Sequence, residues 1–326
     1  MADSNARQQP EACPWEGQQD PFAGATGLLT RVGGTPLVKL RRVGRDRLGT
    51  AVELFLKLES FNPSGSVKAR AALAIVLDAR RRGLLRDGVT LLDASSGNTG
   101  IAYALISATL GYPLCLCLPA NASIERKRLL RAYGVEVVET DPLEGSDGAI
   151  LEARRRAAEQ PDRYCYLDQY NNPWNWRAHY ASTGPELWRQ TDGGITHLVA
   201  SLGTSGTFVG TARFLRAINP EVRCVAVQPD SPFHGIEGLK HMETSLVPGI
   251  WDESSAHQQL AVPTEPALQL VGELAREEGL LVGSSTGAAL YAALQLGAEL
   301  SAGQIVVVSP DSGERYLSEE HLWNRS

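Results

Sequence analysis

Short apolar runs alternate with segments of helical periodicity along most of this 326-residue chain, and this alternation restricts the fold more than any other feature. Strand-like runs lie near residues 52–58, 89–94, 114–118 and 135–139, with a second series near 196–200, 222–228, 280–283 and 304–308. Helical segments lie near residues 66–82, 99–110, 123–133, 175–190, 205–217, 266–278 and 286–300. Apolar strands that alternate with helices are typical of parallel sheets covered on both faces. The two series therefore predict an α/β fold with two open, mostly parallel twisted sheets flanked by helices.

Composition and charge predict a globular cytoplasmic protein. Hydrophobic residues make up 43% of the chain and charged residues 21%, and the net charge of −6 argues against a nucleic-acid partner because no basic patch offsets it. The chain shows no secretory signal and no apolar run long enough to cross a bilayer, so we expect no membrane association. Its five cysteines form no CxxC pair and predict reduced thiols, and its six histidines lack metal-ligand spacing, so we expect no metal.

A lysine stands at the start of a predicted helix, directly after a loop of Pro, Gly and Ser. The sequence NPSGSVKAR at residues 62–70 places Lys68 between a strand-like run and a helical segment. The positive end of the helix dipole disfavours a charged ammonium at this position, and desolvation acts in the same direction. Lys68 is therefore a candidate for the neutral amine that attacks a carbonyl group. A solvated surface lysine beside a turn can have the same local sequence, so the motif alone does not distinguish a reactive lysine from a surface one.

Three further loops join a strand-like run to a helix, and one of them has the composition of a phosphate site. The sequence GTSGT at residues 203–207 would point backbone N–H groups and a helix N-terminus at a bound phosphate. The sequences SSGNTG at 95–100 and GSSTG at 283–287 repeat the arrangement, and the former suits a substrate carboxylate. Simple N-capping explains each loop taken singly. Together with the lysine, and without a P-loop, a GxGxxG or a metal motif, they predict pyridoxal 5'-phosphate as the cofactor.

These segments, in this order, resemble the motifs of the cysteine synthases, which are O-acetylserine sulfhydrylases of the β-family of pyridoxal-phosphate enzymes. The resemblance runs from about Arg31 to Leu317, includes the sequence PDSGERY at residues 310–316, and is closer to the B-type isoform at the phosphate loop. It implies fold type II of the pyridoxal-phosphate enzymes, which is the fold of the tryptophan synthase β-subunit.

The resemblance also implies a role for each candidate site residue. Lys68 would form the internal aldimine, Asn98 would bond the phenolic oxygen of the cofactor, and Ser285 would meet its pyridine nitrogen. The residues expected to hold the cofactor phosphate are Gly203, Thr204, Ser205, Gly206 and Thr207. The residues expected at the substrate carboxylate are Ser95, Ser96, Gly97, Thr99 and Gln169.

The implied reaction is β-replacement on an activated serine, with O-acetylserine favoured, by sulfide or a sulfur carrier to give L-cysteine through an aminoacrylate. A serine at position 285 suits this reaction because a hydroxyl does not require a protonated ring nitrogen, and Lys68 would serve as the base for the Cα proton. The alternatives are an O-phosphoserine sulfhydrylase, a cystathionine β-synthase, a diaminopropionate synthase and a serine/threonine dehydratase. A non-catalytic binding module is a further alternative, against which the retained Lys68, Asn98 and Ser285 argue.

Lys240 bears on the choice between donors, because a phosphoserine donor needs a cation near its leaving group. Lys240 and His241 form the basic pair of residues 234–242, a stretch that the resemblance places near the site entrance. We expect Lys240 to be a solvated surface lysine, which is a reason to favour O-acetylserine.

The expected organisation is two domains with the cofactor between them. Residues 62–172 are assigned to a smaller N-terminal domain, and residues 23–61 with 173–326 to a larger C-terminal domain that holds the phosphate loop. Residues 1–22, rich in Gln, Pro and charge, are predicted to be a disordered tail. The expected partners are the amino-acid substrate and the sulfur donor, and the resemblance implies a homodimer.

Overall fold

Parallel strand pairing dominates the computed structural model, which describes residues 19–95, 97–318 and 323. Within those residues the larger sheet has six strands, and its first strand alone runs antiparallel to its neighbour. In spatial order the strands are β1 (Leu37–Lys39), β2 (Val52–Leu58), β10 (Gly303–Ser309), β7 (His197–Ser201), β8 (Arg223–Pro229) and β9 (Gln258–Val262).

The smaller sheet is entirely parallel in the described part of the chain and has four strands. In spatial order they are β5 (Glu136–Thr140), β4 (Leu114–Pro119), β3 (Thr90–Ala94) and β6 (Tyr164–Tyr166). Every residue of β4 is buried, as expected of a central strand with helices on both faces.

The helices connect these parallel strands and cover the sheets. They are α1 (Lys68–Arg81), α2 (Asn98–Leu110), α3 (Ile124–Ala132), α4 (Gly145–Glu159), α5 (Trp174–Ala181), α6 (Thr183–Gln190), α7 (Gly206–Ile218), α8 (Thr264–Glu273) and α9 (Ser284–Ala298). Helices α2 and α9 are apolar on nearly every side and largely buried, because each packs between a sheet and other helices.

Alternate residues of β10 face two different apolar cores, which shows that both faces of the larger sheet are covered. Ile305 and Val307 join the core formed with α8 and α9, whereas Val306 and Val308 join the core formed with α7. A third core packs α1 and α2 against β3 and β4 of the smaller sheet. The predicted fold class of two mostly parallel sheets flanked by helices is therefore confirmed.

Two predicted elements were wrong. The run 280–283 is not a strand: α9 begins one residue after it, and Val282 makes a single antiparallel bridge to Ser312. Val282 is buried and Leu280 and Leu281 are half-buried in a connecting segment, and so short an apolar run cannot be distinguished from a strand by composition. The predicted helix 175–190 is two helices, α5 and α6, because Ser182 leaves helical geometry and Pro185 has no N–H for a continuous helical bond.

Other elements were not predicted from the sequence at all. They are the strands β1, β6 and β9, of three to five residues. The predicted disordered tail lies outside the described residues over 1–18, and within 19–22 Pro21 is buried and Phe22 packs on the core of α1 and α2. None of the helices in the described residues is both long enough and apolar enough to cross a membrane.

Candidate active site

A cavity of about 260 Å³ lies between the two sheets, at the carboxyl ends of their strands. Ser95 follows β3, Gly203 follows β7, and Lys68 begins α1, and all three line this cavity. A smaller adjoining cavity shares Lys68 and adds Ser285 from the first turn of α9. Parallel α/β sheets bind ligands at this edge because loops and helix N-termini converge there.

Lys68 is the first residue of α1 and lines both cavities, as the motif predicted for its position. Gly65 has a φ of +72°, which lets the preceding loop turn sharply before the helix begins. Burial lowers the pKa of the Lys68 ammonium, and the carboxylate of Asp311 opposes that shift. The neutral amine is thus more accessible than in a solvated lysine, as nucleophilic attack on a carbonyl requires.

The loop 203–207 leads directly from β7 into α7 and forms one wall of the smaller cavity. Ser205 precedes the helix with a φ of +68°, a conformation rarely adopted by residues other than glycine, and its buried Oγ has no partner among the described residues. Gly206 is the first residue of the helix. The first N–H groups of a helix lack intrahelical partners, so this wall offers donors and a positive dipole to an anion.

Two side chains from α5 support this loop and were not identified from the sequence. The Asn175 Nδ2 atom donates to Thr204 Oγ1 at 3.1 Å, and a Cβ at Gly206 would overlap the Asn175 side-chain oxygen. His179 Nε2 lies 3.2 Å from Thr207 Oγ1, and burial lowers the pKa of His179 to about 3. The imidazole is therefore neutral and fixes the Thr207 hydroxyl without adding charge. No sequence motif could reveal these contacts, because they depend on how α5 packs on α7.

The loop after β3 places most of the predicted carboxylate-site residues around the larger cavity. Ser95, Gly97, Thr99 and Gln169 line it, whereas Ser96 lies outside the described residues. The Ser95 hydroxyl accepts bonds from the N–H groups of Gly97 and Gly100 at 3.3 and 3.0 Å, so it also stabilises the start of α2. The Gln169 Nε2 atom donates to the Ala94 carbonyl at 2.7 Å, which holds this side chain beside the loop.

Asn98, at the start of α2, is bonded on both sides of its amide. Its Nδ2 atom donates to Asp311 Oδ2 at 2.6 Å, and its Oδ1 atom accepts from Arg315 Nη1 at 2.7 Å. Tyr316 donates to the same Asp311 oxygen at 2.5 Å. The sequence PDSGERY at 310–316 carried the resemblance, but no chemical role had been assigned to its charged residues.

Two cations in the lining of the larger cavity pair with carboxylates from other segments of the chain. Lys240 Nζ lies 3.0 Å from Asp147 Oδ1 and 5.2 Å from the centre of the Tyr170 ring, and Arg126 pairs with Glu237. Lys240 is only 7% exposed, so the expectation of a solvated surface lysine was wrong. The charge is tolerated there because Asp147 and the ring face of Tyr170 replace part of its hydration.

The arrangement brings together a buried amine, an anion-binding loop and a hydroxyl-rich loop within two adjoining cavities. Of the predicted site residues that the structure describes, Gly206 alone lines neither cavity, and Ser96 lies outside the described residues. Within residues 19–95, 97–318 and 323, no group of three His, Cys, Asp or Glu side chains could hold a metal ion. The walls therefore suit a small molecule with an anionic group and an electrophilic carbonyl.

Comparisons with known proteins point to one family. The family described as "Pyridoxal-phosphate dependent enzyme" matches residues 28–311. The cysteine synthase of Aquifex aeolicus is 52% identical over 89% of this chain and 90% of its own length, and cysteine synthase B of Escherichia coli is 42% identical over 90% and 97%. The crystal structure of a cysteine synthase from Entamoeba histolytica superposes with a TM-score of 0.87 at 31% identity, covering 100% of this chain and 94% of that one.

Proposed function

The chain belongs to the family of pyridoxal-phosphate-dependent enzymes, and on that premise we propose that it makes L-cysteine from an activated serine and sulfide. The two sequence relatives reported above are named cysteine synthases, and their similarity to this chain extends over nearly the whole length of both proteins. The observation that carries the proposal is the placement of Lys68 and Ser285 with the loop 203–207 around one cavity. An amine, a phosphate cradle and a ring-nitrogen partner are what pyridoxal phosphate needs from a protein.

The residues present fit that cofactor on independent grounds. The buried Ser205 Oγ lacks a partner among the described residues, and an acceptor such as a phosphate oxygen would satisfy its hydrogen. Gly203 is packed so closely against the Gly238 carbonyl that a Cβ would overlap it, so the start of the loop has no room for a side chain. Lys68 lines the same cavity, from which it would reach the aldehyde. We propose that Gly203, Thr204, Ser205, Gly206 and Thr207 hold the phosphate.

Pyridoxal phosphate, when bound, draws electrons from the amino-acid Cα so that a substituent on Cβ can leave and be replaced. In the proposed mechanism Lys68 holds the cofactor and then, as a free neutral amine, takes the Cα proton. Burial favours this role because it disfavours the protonated form of the lysine. The proton stays on Lys68 Nζ until sulfide has attacked Cβ, and it then returns to Cα.

The loop 95–99 and Gln169 are proposed to orient the substrate carboxylate. Thr99 is 4% exposed and lines the larger cavity near the N-terminus of α2, where helical N–H groups would face a bound anion. Gln169 lines the same wall. Fixing the carboxylate would place the Cα–H bond toward Lys68, so these residues contribute through orientation rather than through proton transfer.

Ser285 is proposed to meet the pyridine nitrogen and so to select the reaction. Ser285→Asp would introduce a carboxylate that holds a proton on that nitrogen, so we expect β-replacement to slow by about tenfold or more, about 1.4 kcal/mol of barrier, and transamination to appear. The measurement is kcat for cysteine formation together with the yield of keto acid. Ser285→Asn, similar in size but uncharged, is the control and should form no keto acid. An unchanged rate and product spectrum in the aspartate variant would contradict this electronic role.

O-Acetylserine is the favoured donor, because Arg126 and Lys240, which line the larger cavity with Lys68, are already paired with carboxylates. The burial of Lys240 in the cavity wall favours O-phosphoserine as a second candidate. A phosphate leaving group could take the place of Asp147 at Lys240, and a charge-assisted bond of this kind would stabilise it. The neutral acetyl ester needs no such partner.

One comparison tests the proposed function and the donor together. The wild-type holoenzyme should form cysteine from O-acetylserine and sulfide with a higher kcat/KM than from O-phosphoserine. In Lys240→Ala we expect phosphoserine turnover to fall roughly tenfold more than acetylserine turnover, the size of one lost bond to a charged group. Asp147→Asn is the matched opposite change and should raise relative phosphoserine turnover. A wild-type preference for phosphoserine would overturn the donor assignment. If the enzyme forms cysteine from neither donor, the proposed function is wrong.

Location, assembly and domain division are also proposals. The buried cysteines at positions 115, 117, 165 and 224 are unpaired, which supports a reducing cytoplasm. The pairing of β1 and β2 within the larger sheet supports the assignment of residues 23–61 to the larger domain, with 62–172 as the smaller one. The homodimer is proposed on the resemblance alone, and light scattering of the purified protein should give twice the mass of one chain.

A further inference from the structure

Asp311 is a buried carboxylate that the proposed mechanism does not use. It is 1% exposed, lies two residues after β10, and lines the smaller cavity together with Lys68 and Asn98. Its backbone bridges to Ser66 in the lysine loop. Asp311 therefore stands where the loop before Lys68 meets the helix that carries Asn98.

The hydrogen bonds around Asn98 determine which way its amide points. An ionised carboxylate can only accept and a guanidinium can only donate, so Asp311 must face the Asn98 nitrogen and Arg315 must face its oxygen. The amide cannot flip without placing donor against donor and acceptor against acceptor. Asp311 takes one of the two Nδ2 hydrogens, so one donor remains for a ligand in the cavities that Asn98 lines.

The chemistry of pyridoxal phosphate identifies that ligand atom. The phenolic oxygen lies on the ring carbon next to the one that bears the aldehyde, and the aldehyde is the group that Lys68 reaches. A hydrogen-bond donor close to Lys68 is therefore placed to meet the phenolic oxygen. Asn98 lines both of the cavities that Lys68 lines, and it begins α2, which packs beside α1.

A structural role alone does not explain Asp311. Its second oxygen, Oδ1, is buried and has no hydrogen-bond partner among the residues that the structure describes. A buried carboxylate oxygen without a partner destabilises the folded state. We propose that Asp311 is a positioning residue for the cofactor, which orients the Asn98 amide so that Nδ2 donates to the phenolic oxygen.

The test is a double-mutant cycle on cofactor affinity, measured by equilibrium dialysis of the full-length holoenzyme against known concentrations of pyridoxal phosphate. Asp311→Ala and Asn98→Ala should each raise the dissociation constant of the cofactor by roughly tenfold, the effect of one bond to a charged acceptor. The double variant should be no weaker than the weaker single variant, because both changes remove the same contact. Thermal midpoints of the apoproteins should stay close to that of wild type.

Asp252→Asn is the matched control, since Asp252 also accepts several bonds but lines neither cavity. It should leave the dissociation constant within twofold of wild type. An unchanged dissociation constant in Asp311→Ala, or single effects that multiply in the double variant, would overturn the proposal. A fall in apoprotein thermal midpoint without a change in cofactor affinity would do the same. The inference rests on the proposed cofactor site, but no substrate is present, so an error in the donor assignment leaves the result unaffected.

Discussion

Lys68→Ala is expected to lower kcat/KM for cysteine formation by at least about a thousandfold, because one side chain is proposed both to hold the cofactor and to move the Cα proton. The alanine has neither a nucleophile nor a base. Lys240 also lines the larger cavity, but its Nζ pairs with Asp147 at 3.0 Å. Lys57 is engaged in the interior, where its Nζ bonds Thr35 O, Glu186 and Gln190 at 2.6 to 2.8 Å.

The assignment is checked by borohydride reduction of the wild-type holoenzyme, followed by peptide mass mapping, which should find the cofactor attached to Lys68. Lys127→Ala is the matched control, because Lys127 pairs with Glu139 and lines neither cavity. Its kcat/KM should stay within about twofold of wild type. Attachment of the cofactor to a peptide containing Lys57 or Lys127 would show that the assignment is wrong.

Arg70→Ala is expected to lower the free energy of unfolding by about 3–5 kcal/mol, the effect of breaking a buried ion pair by removing one partner. Arg70 is fully buried two residues after Lys68. It donates to both oxygens of Glu59 at 2.7 and 2.8 Å and to both oxygens of Glu186 at 2.6 and 2.7 Å. With Lys57 the cluster has two positive and two negative groups, so removal of Arg70 leaves a negative charge without compensation in the interior.

The measurement is chemical denaturation of the apoprotein, with Arg155→Ala as the matched control. Arg155 bonds Glu152 and Glu159 on the surface of α4 and is half exposed, so its removal should leave the denaturation midpoint essentially unchanged. Arg70→Lys should fall between wild type and Arg70→Ala, because it keeps the charge but loses the bidentate geometry. Equal midpoints for Arg70→Ala and Arg155→Ala would contradict the role given to the cluster.

This buried cluster also connects stability to the site. Glu59 follows β2 and Glu186 lies on α6, so Arg70 ties the first turn of α1 to the larger sheet and to a separate helix. Arg70 holds the pKa of Glu186 at about 2 against the opposing effect of burial. The pairs therefore persist throughout the neutral range, and the N-terminus of α1, with Lys68, keeps a fixed position.

The sequence by itself determined the two sheets, the order of most elements and the loops that carry the chemistry. These are local properties: a strand buried on both faces is apolar throughout, a helix has its own period, and a loop that starts a helix near a ligand needs Gly, Ser or Thr. Lys68 begins a helix and Gly203 follows a strand for reasons that lie within a few residues of each. The short strands β1 and β6, of three residues each, carry too few residues for such a pattern.

Only the tertiary structure decided which charges are buried and with whom they pair. Lys240 resembles a surface lysine in sequence, yet it is buried because Asp147, 93 positions earlier, lies beside it. Asn98 and Asp311 are 213 positions apart, and Arg70 and Glu186 are 116 apart. The free energy of burying a charge depends on the partner that another segment supplies, and no local pattern contains that partner. The loops of the site could therefore be identified from local sequence. The side chains that orient them could not, because they come from distant segments that only the folded structure places beside the loops.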